Sequence, residues 1–235
     1  MFAKSMVLRH LLVGGVPSRF GESQAYFSWV NQTTPRFLAV KPPCRGINQM
    51  NPLPLPVVGP HVVIRKIQKK DLGPFYTLET DEDVKRYVGG PVRMPRQEWI
   101  AKMDKVRKQG GKLTPLAVAA KATGAFAGRA RTYRALEIAQ TCWEVEVLIA
   151  KKYWGQHFGH EAVVFLVDTA FASLCAESII ATVDPSNTPS RRLFEEHLGF
   201  RKIDTKKETG EWQDGHLVLH CLREDWMRRG KPIAC

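Results

Sequence analysis

Cysteine is scarce and without pattern. The five, Cys44, Cys142, Cys175, Cys221 and Cys235, form no C-x-x-C pair, and no histidine stands at metal-ligand spacing. This argues against a zinc module or a disulfide framework and leaves buried thiols in a reducing compartment as the expectation. No apolar run reaches the ~20 residues of a membrane span. Residues 61–235 hold no basic run or aromatic-basic ladder, which weakens a nucleic-acid reading. Acid is missing almost entirely from the first 60 residues, where Glu22 stands alone against Lys4, Arg9, Arg19, Arg36, Lys41 and Arg45.

That last absence divides the chain. The whole protein has 235 residues and a formal charge of +12; residues 1–60 carry +5 of it (6 − 1), and the rest carries +7 with both signs interspersed. The acid-free opening "MFAKSMVLRHLLVGGVPSRF" has the composition of an organelle transit peptide, which points to a mitochondrial or other organelle matrix. A loosely packed arm in a cytoplasmic protein is the alternative. The stretch "PPCRGINQMNPLPLPVVGP" carries six prolines, which forbid continuous helix or a central strand. It reads as a linker or a strap, with the compact domain spanning 61–228 and a short tail at 229–235. Apolar content of 44% suffices for a packed core.

From residue 61 the pattern is a strand "HVVIRKI", short helical turns broken at Gly73-Pro74, and a helix "PRQEWIAKMDKVRKQGG" with Trp99, Met103 and Val106 on one face. A hairpin follows, "LTPLAVAAK" with "AFAGRARTYRA". In "TCWEVEVLIA" the alternation puts Glu144 and Glu146 on one face and Trp143, Val145 and Val147 on the other. A glycine-bearing turn, "YWGQHFG", leads into a helix to about Leu174. "ESIIATV" is a strand, "NTPSRRLFEEHLG" a helix, and "FRKIDTKKE" with "WQDGHLVLHCL" a closing hairpin. Strands dominate the first half and βα units the second, so the class is α+β with a mixed sheet.

Three segments together resemble the GNAT superfamily of acetyl-CoA-dependent N-acetyltransferases, and within it the branch of ribosomal-protein N-terminal acetyltransferases of RimJ and RimL type. The first is "YWGQHFGHEA", with Trp154, Gly155, Gln156, Phe158, Gly159, Glu161 and Ala162 in place and His157 where the branch writes glycine. The second is "DPSNTPSRRLFEEHLGF", one residue longer than usual before Gly-Phe. The third is "WQDGHLVLHCLREDW". The resemblance covers residues 62–226. It implies a central mixed, mostly antiparallel sheet with helices on both faces, acetyl-CoA as cosubstrate, no metal, and an amine acceptor.

The resemblance also distributes roles. The CoA side falls to Leu148 and Ile149, to Gln156, His157, Phe158, Gly159, His160 and Glu161 at a helix start, and to Asn187, Ser190 and Arg192 on the next helix. Backbone amides at a helix N-terminus suit a diphosphate. Glu144, and Glu146 beside it on the same face, are the candidate bases; two solvated glutamates facing Arg129 or Arg131 are the plainer alternative. Many relatives donate the thiolate's proton from a tyrosine where this chain has Phe194, so Ser190 or a water is left for that step. Three outcomes are open for His157: its side chain points out of the cradle, it spoils a position needing positive φ, or Gly159 takes the contact. A weakened catalyst serving as a structural subunit of an organellar ribonucleoprotein, holding protein or RNA through the basic extension, is the competing reading. The acceptor cleft is expected between residues 76–87 and 208–214.

Overall fold

The computed structural model describes residues 55–110, 114–136, 138–139, 141–203 and 215–229. The expectations for the basic extension, the linker up to residue 54, the acceptor-side segment 208–214 and the tail from residue 230 lie outside the described residues. No helix among the described residues is long and apolar enough to cross a membrane.

Eight strands form one sheet: β1 (Val57–Val58), β2 (Val62–Lys66), β3 (Leu116–Ala120), β4 (Phe126–Arg134), β5 (Cys142–Ile149), β6 (Ser178–Val183), β7 (Arg201–Lys202) and β8 (Leu217–Leu222). Their spatial order is β1-β2-β3-β4-β5-β6-β8-β7. All neighbours are antiparallel except β5 and β6, which run parallel across the α4 crossover. The helices are α1 (Leu72–Thr80), α2 (Glu82–Lys85), α3 (Arg96–Gln109), α4 (Phe158–Ser173), α5 (Thr188–Arg191) and α6 (Arg223–Arg228).

Strand alternation sends side chains into two cores, one on each face. Val62, Ile64, Val118, Trp143 and Val145 meet the apolar side of α4, while Ala117, Phe126 and Leu148 meet Leu72, Phe75, Leu78 and Trp99 of α1 and α3. This is the mixed, mostly antiparallel α+β sheet with helices on both faces that the sequence led us to expect. Trp226 of α6 is fully buried, and its indole N–H donates to Asp168 of α4 at 2.7 Å, fixing the last helix against the first core.

Two local expectations change. Gly73 and Pro74 do not break a helix: they lie in the first turn of α1, where a proline removes only an N–H that has no intrahelical partner. The sheet also begins upstream of His61, because Val57 and Val58 pair with Ile64 and Val63 as an edge strand, a place where flanking prolines are tolerated.

Candidate active site

Strand β5 carries the two glutamates on the face covered by α1 and α3. Its register with β4 sets Tyr133 opposite Glu144 and Arg131 opposite Glu146. On its other side β5 pairs with β6 only from Cys142↔Ser178 to Glu144↔Ile180. Beyond that point the two parallel strands part, and the stretch from Val145 to Ile149 runs along an open wedge. Glu144 stands at its apex.

The two carboxylates have different neighbours. Arg129 Nη2 lies 2.6 Å from Glu146 Oε1, while Arg131 Nε donates to Oε2 at 2.8 Å and Arg131 Nη2 reaches the same oxygen. Arg129 Nε in turn donates at 2.5 Å to Glu79 of α1, which also takes Lys85 Nζ of α2 at 3.0 Å. A line of alternating charge, Lys85, Glu79, Arg129, Glu146, Arg131, thus runs from the first helices into the sheet. Burial alone would raise the Glu146 carboxyl; the two guanidinium groups overrule it and hold it at about 2. The magnitudes agree, since a contact pair at an effective dielectric of about 20 attracts by about 4 kcal/mol, roughly three pKa units. Burial likewise opposes ionisation of Glu79, and Arg129 and Lys85 again prevail, so its carboxyl lies below its ordinary range.

Glu144 has no such partner. Burial pushes its carboxyl up to about 7; the neighbouring hydroxyls of Thr182 and Tyr133 hold it down in part, while the charge of Glu146 adds to the rise. The Tyr133 phenol is raised too, by burial first and then by Glu144 and Glu146. Of the expected pair, one carboxylate is therefore a charged clamp and the other titrates near neutrality. Tyr133 and Thr182 were not foreseen, although period-two alternation on β4 and β6 does point them at Glu144. Nothing local in the sequence announces Glu79 and Lys85, which arrive from another element.

At the start of α4 the chain uses two left-handed residues, Gly155 (φ 70°) and His157 (φ 63°). His157 occupies the N-cap position and no side chain caps the first turn of this 16-residue helix. Histidine is among the few residues that enter this region at modest cost. Its ring stacks on that of His61, centroids 6.2 Å apart, on the side of the β1–β2 turn.

Most other side chains named for the cofactor are taken up by the fold. Glu161 accepts from the backbone N–H of His61 at 3.0 Å and of Val62 at 3.2 Å and meets His61 Nδ1 at 2.5 Å, so it anchors β2 to α4 rather than facing a ligand. Gln156 donates to Lys152 O at 2.9 Å, the Phe158 ring stacks on Tyr153 at 5.0 Å, and the Leu148 side chain is core beneath α1. The Ile149 carbonyl accepts the Trp154 indole at 2.7 Å. Gly159 has ordinary helical φ, and a Cβ there would meet Ile149 at a normal 3.7 Å. Its absence leaves the cradle floor low without being required by the backbone. The first turn of α4 keeps main-chain N–H groups that no side chain caps.

Beyond β6, Asn187 caps α5 by accepting from Ser190 N at 3.2 Å, Ser190 is half-buried, and Arg192 is exposed. The ring of His197 meets that of His160 at 6.5 Å, joining the first turn of α4 to the end of the helical turn that follows α5. The extra residue before Gly199-Phe200 is absorbed as a π-helical turn, Arg192–His197, closed by Leu198 N to Leu193 O at 3.0 Å. Phe194 faces the core against Phe200, centroids 5.1 Å apart.

Residues 61–201 match the family model described as Acetyltransferase (GNAT) domain. The uncharacterized N-acetyltransferase p20 of Bacillus licheniformis is 41% identical over 85 residues, 34% of this chain and 47% of that protein. The N-acetyltransferase 9-like protein of Caenorhabditis briggsae is 28% identical over 137 residues, 55% of this chain and 69% of that protein. The match thus spans about half the length of the p20 protein. Among solved structures, Mycobacterium smegmatis RimJ in complex with CoA-disulfide superposes with a TM-score of 0.54 at 20% identity, over 72% of this chain and 88% of that one, a likeness of fold.

Proposed function

The chain belongs to the acetyltransferase (GNAT) family, and from that membership we propose that it transfers acetyl from acetyl-CoA to a primary amine, a protein N-terminus or a small amine, by direct attack in a ternary complex. The observation that carries this reading is Glu144: a carboxyl at the apex of the β5–β6 wedge, pushed by burial up to about 7, where a general base works best at neutral pH. Glu146, bound by two arginines, is left as a fixed charge and not a base.

The residues present fit the cosubstrate. The uncapped first turn of α4 offers main-chain N–H groups and the positive end of the helix dipole to a diphosphate. The edge of β5 beyond Glu144 offers backbone groups to an amide-bearing arm. Bound acetyl-CoA supplies an activated thioester. Glu144 takes a proton from the acceptor ammonium, directly or through one water, with the Tyr133 and Thr182 hydroxyls lowering its carboxyl in part.

Calorimetric titration with acetyl-CoA and thiol release in the presence of free-N-terminus peptides test the proposal. The parent binds and turns over, with a rate that rises through about pH 7. Glu144→Gln keeps its affinity for acetyl-CoA and loses about 10²- to 10⁴-fold in kcat. Absence of binding at millimolar acetyl-CoA, or full turnover by Glu144→Gln, contradicts it.

A further inference from the structure

The sheet face that carries Glu144 continues past it. Register partners run in one row: Tyr133 on β4, Glu144 on β5, Ile180 on β6, His220 on β8 and Arg201 on β7. Paired residues of a sheet share a face, so His220 stands on the same face as the base. It lies two strand spacings from Glu144, about 10 Å from backbone to backbone. Ile180 forms an apolar floor between them.

His220 Nε2 is buried and has no hydrogen-bond partner among the described residues. Native proteins leave few such atoms open, and those that remain call for an explanation. Around it stand Ile180 and Thr182 from β6, Arg201 from β7 and Val218 and Leu222 from its own strand, with Asp225 of α6 the acid whose field it feels. No step described above uses this imidazole. The leaving thiolate also needs a proton that Phe194 cannot give, for which Ser190 or a water is the alternative source.

We infer that His220 is a second proton-handling residue of the cleft, which receives a proton at Nε2 from the attacking amine nitrogen and hands it to the departing sulfur. The inference rests on the acetyl-transfer reading. An ammonium acceptor has two protons to lose and the thiolate has one to gain. Glu144 takes the first, leaving a neutral amine. The nitrogen lone pair then forms the C–N bond while the C–S pair leaves with sulfur. The second proton passes through Nε2 to that sulfur, giving amide and thiol, and Glu144 later releases its own proton to solvent. No further reagent is needed. Burial holds the imidazole below its ordinary range, so it rests neutral and gives up a proton readily once it has one.

His220→Gln keeps a polar group near Nε2 but cannot carry a proton. In thiol-release assays with free-N-terminus peptides it is expected to lose about 100-fold in kcat, with KM for acetyl-CoA unchanged within about twofold. His220→Asn serves the same comparison if the first variant fails to fold. Independently of turnover, nitrogen-15 spectra of the histidine-labelled chain are expected to show His220 as the neutral Nδ1–H tautomer. Its Nε2 signal then moves when CoA and peptide are added together. Full kcat in the variant while Glu144→Gln is inactive, or an Nε2 signal that additions leave unmoved, removes the histidine's role alone. A parent inactive on every peptide removes the acetyl-transfer reading and this inference with it.

Discussion

Glu144 and Glu146 sit one alternation apart on the same strand and face the same side, yet one carboxyl lies at about 7 and the other at about 2. Both are driven upward by burial. The difference is made by a neighbouring strand: Arg129 and Arg131 close on Glu146, while the residue opposite Glu144 is a tyrosine. Two glutamates on one face therefore differ in ionisation. One is an ionised link tying α1 and α2 to the sheet through Arg129, and its fixed charge helps keep the other protonated.

The largest expected break in this comparison comes from Glu146→Gln. It leaves the partly buried Arg131 without a carboxylate and the buried Arg129 with Glu79 alone, and urea melts are expected to show a loss of roughly 3–5 kcal/mol. Glu144→Gln is expected to act with the opposite sign. The native state holds a proton on Glu144 between its ordinary 4.5 and about 7, where the unfolded chain has released it. Stability from this group therefore falls as pH rises through that window. Replacing it removes that loss, so above pH 7 the variant gains up to roughly 3 kcal/mol, and the gain vanishes below about pH 4.5. Glu146 runs the other way, its contribution present above 4.5 and lost as pH falls toward about 2. Thermal melts of parent and both variants at several pH values check the pair of signs.

The smallest effect is expected at the cradle. His157→Gly relieves a left-handed non-glycine backbone worth about 1 kcal/mol and gives up the stack on His61, so melts are expected to shift upward by no more than that amount. Because the imidazole leans toward His61, calorimetry is expected to give the same acetyl-CoA Kd within about threefold. Much tighter binding by the variant would show that the histidine obstructs the cradle after all.

Fold and site were legible in the sequence to different degrees. Periodicity and glycine stops set the strands of the second half, the α4 helix and the face shared by Glu144 and Glu146, because these depend on local spacing. The extra residue before Gly199 was visible as an anomaly, and a π-helical turn is its physical meaning. Roles that depend on distant partners were not legible. Glu161 fits a cofactor motif, but its oxygens are occupied by His61 and Val62, about a hundred residues away. The buried charge line depends on Glu79 and Lys85 reaching across from α1 and α2, and His220 became visible only once the strand register joined β8 to β5 through β6.

The central contrast is a neutral-leaning Glu144 beside a charged Glu146. Carbon-13 titration of the glutamate side-chain carboxyls, with the two signals assigned by their loss in Glu144→Gln and Glu146→Gln, measures this directly. The expected result is one midpoint at about 7 for Glu144 and one at about 2 for Glu146. Two midpoints together near the ordinary 4.5 would contradict it.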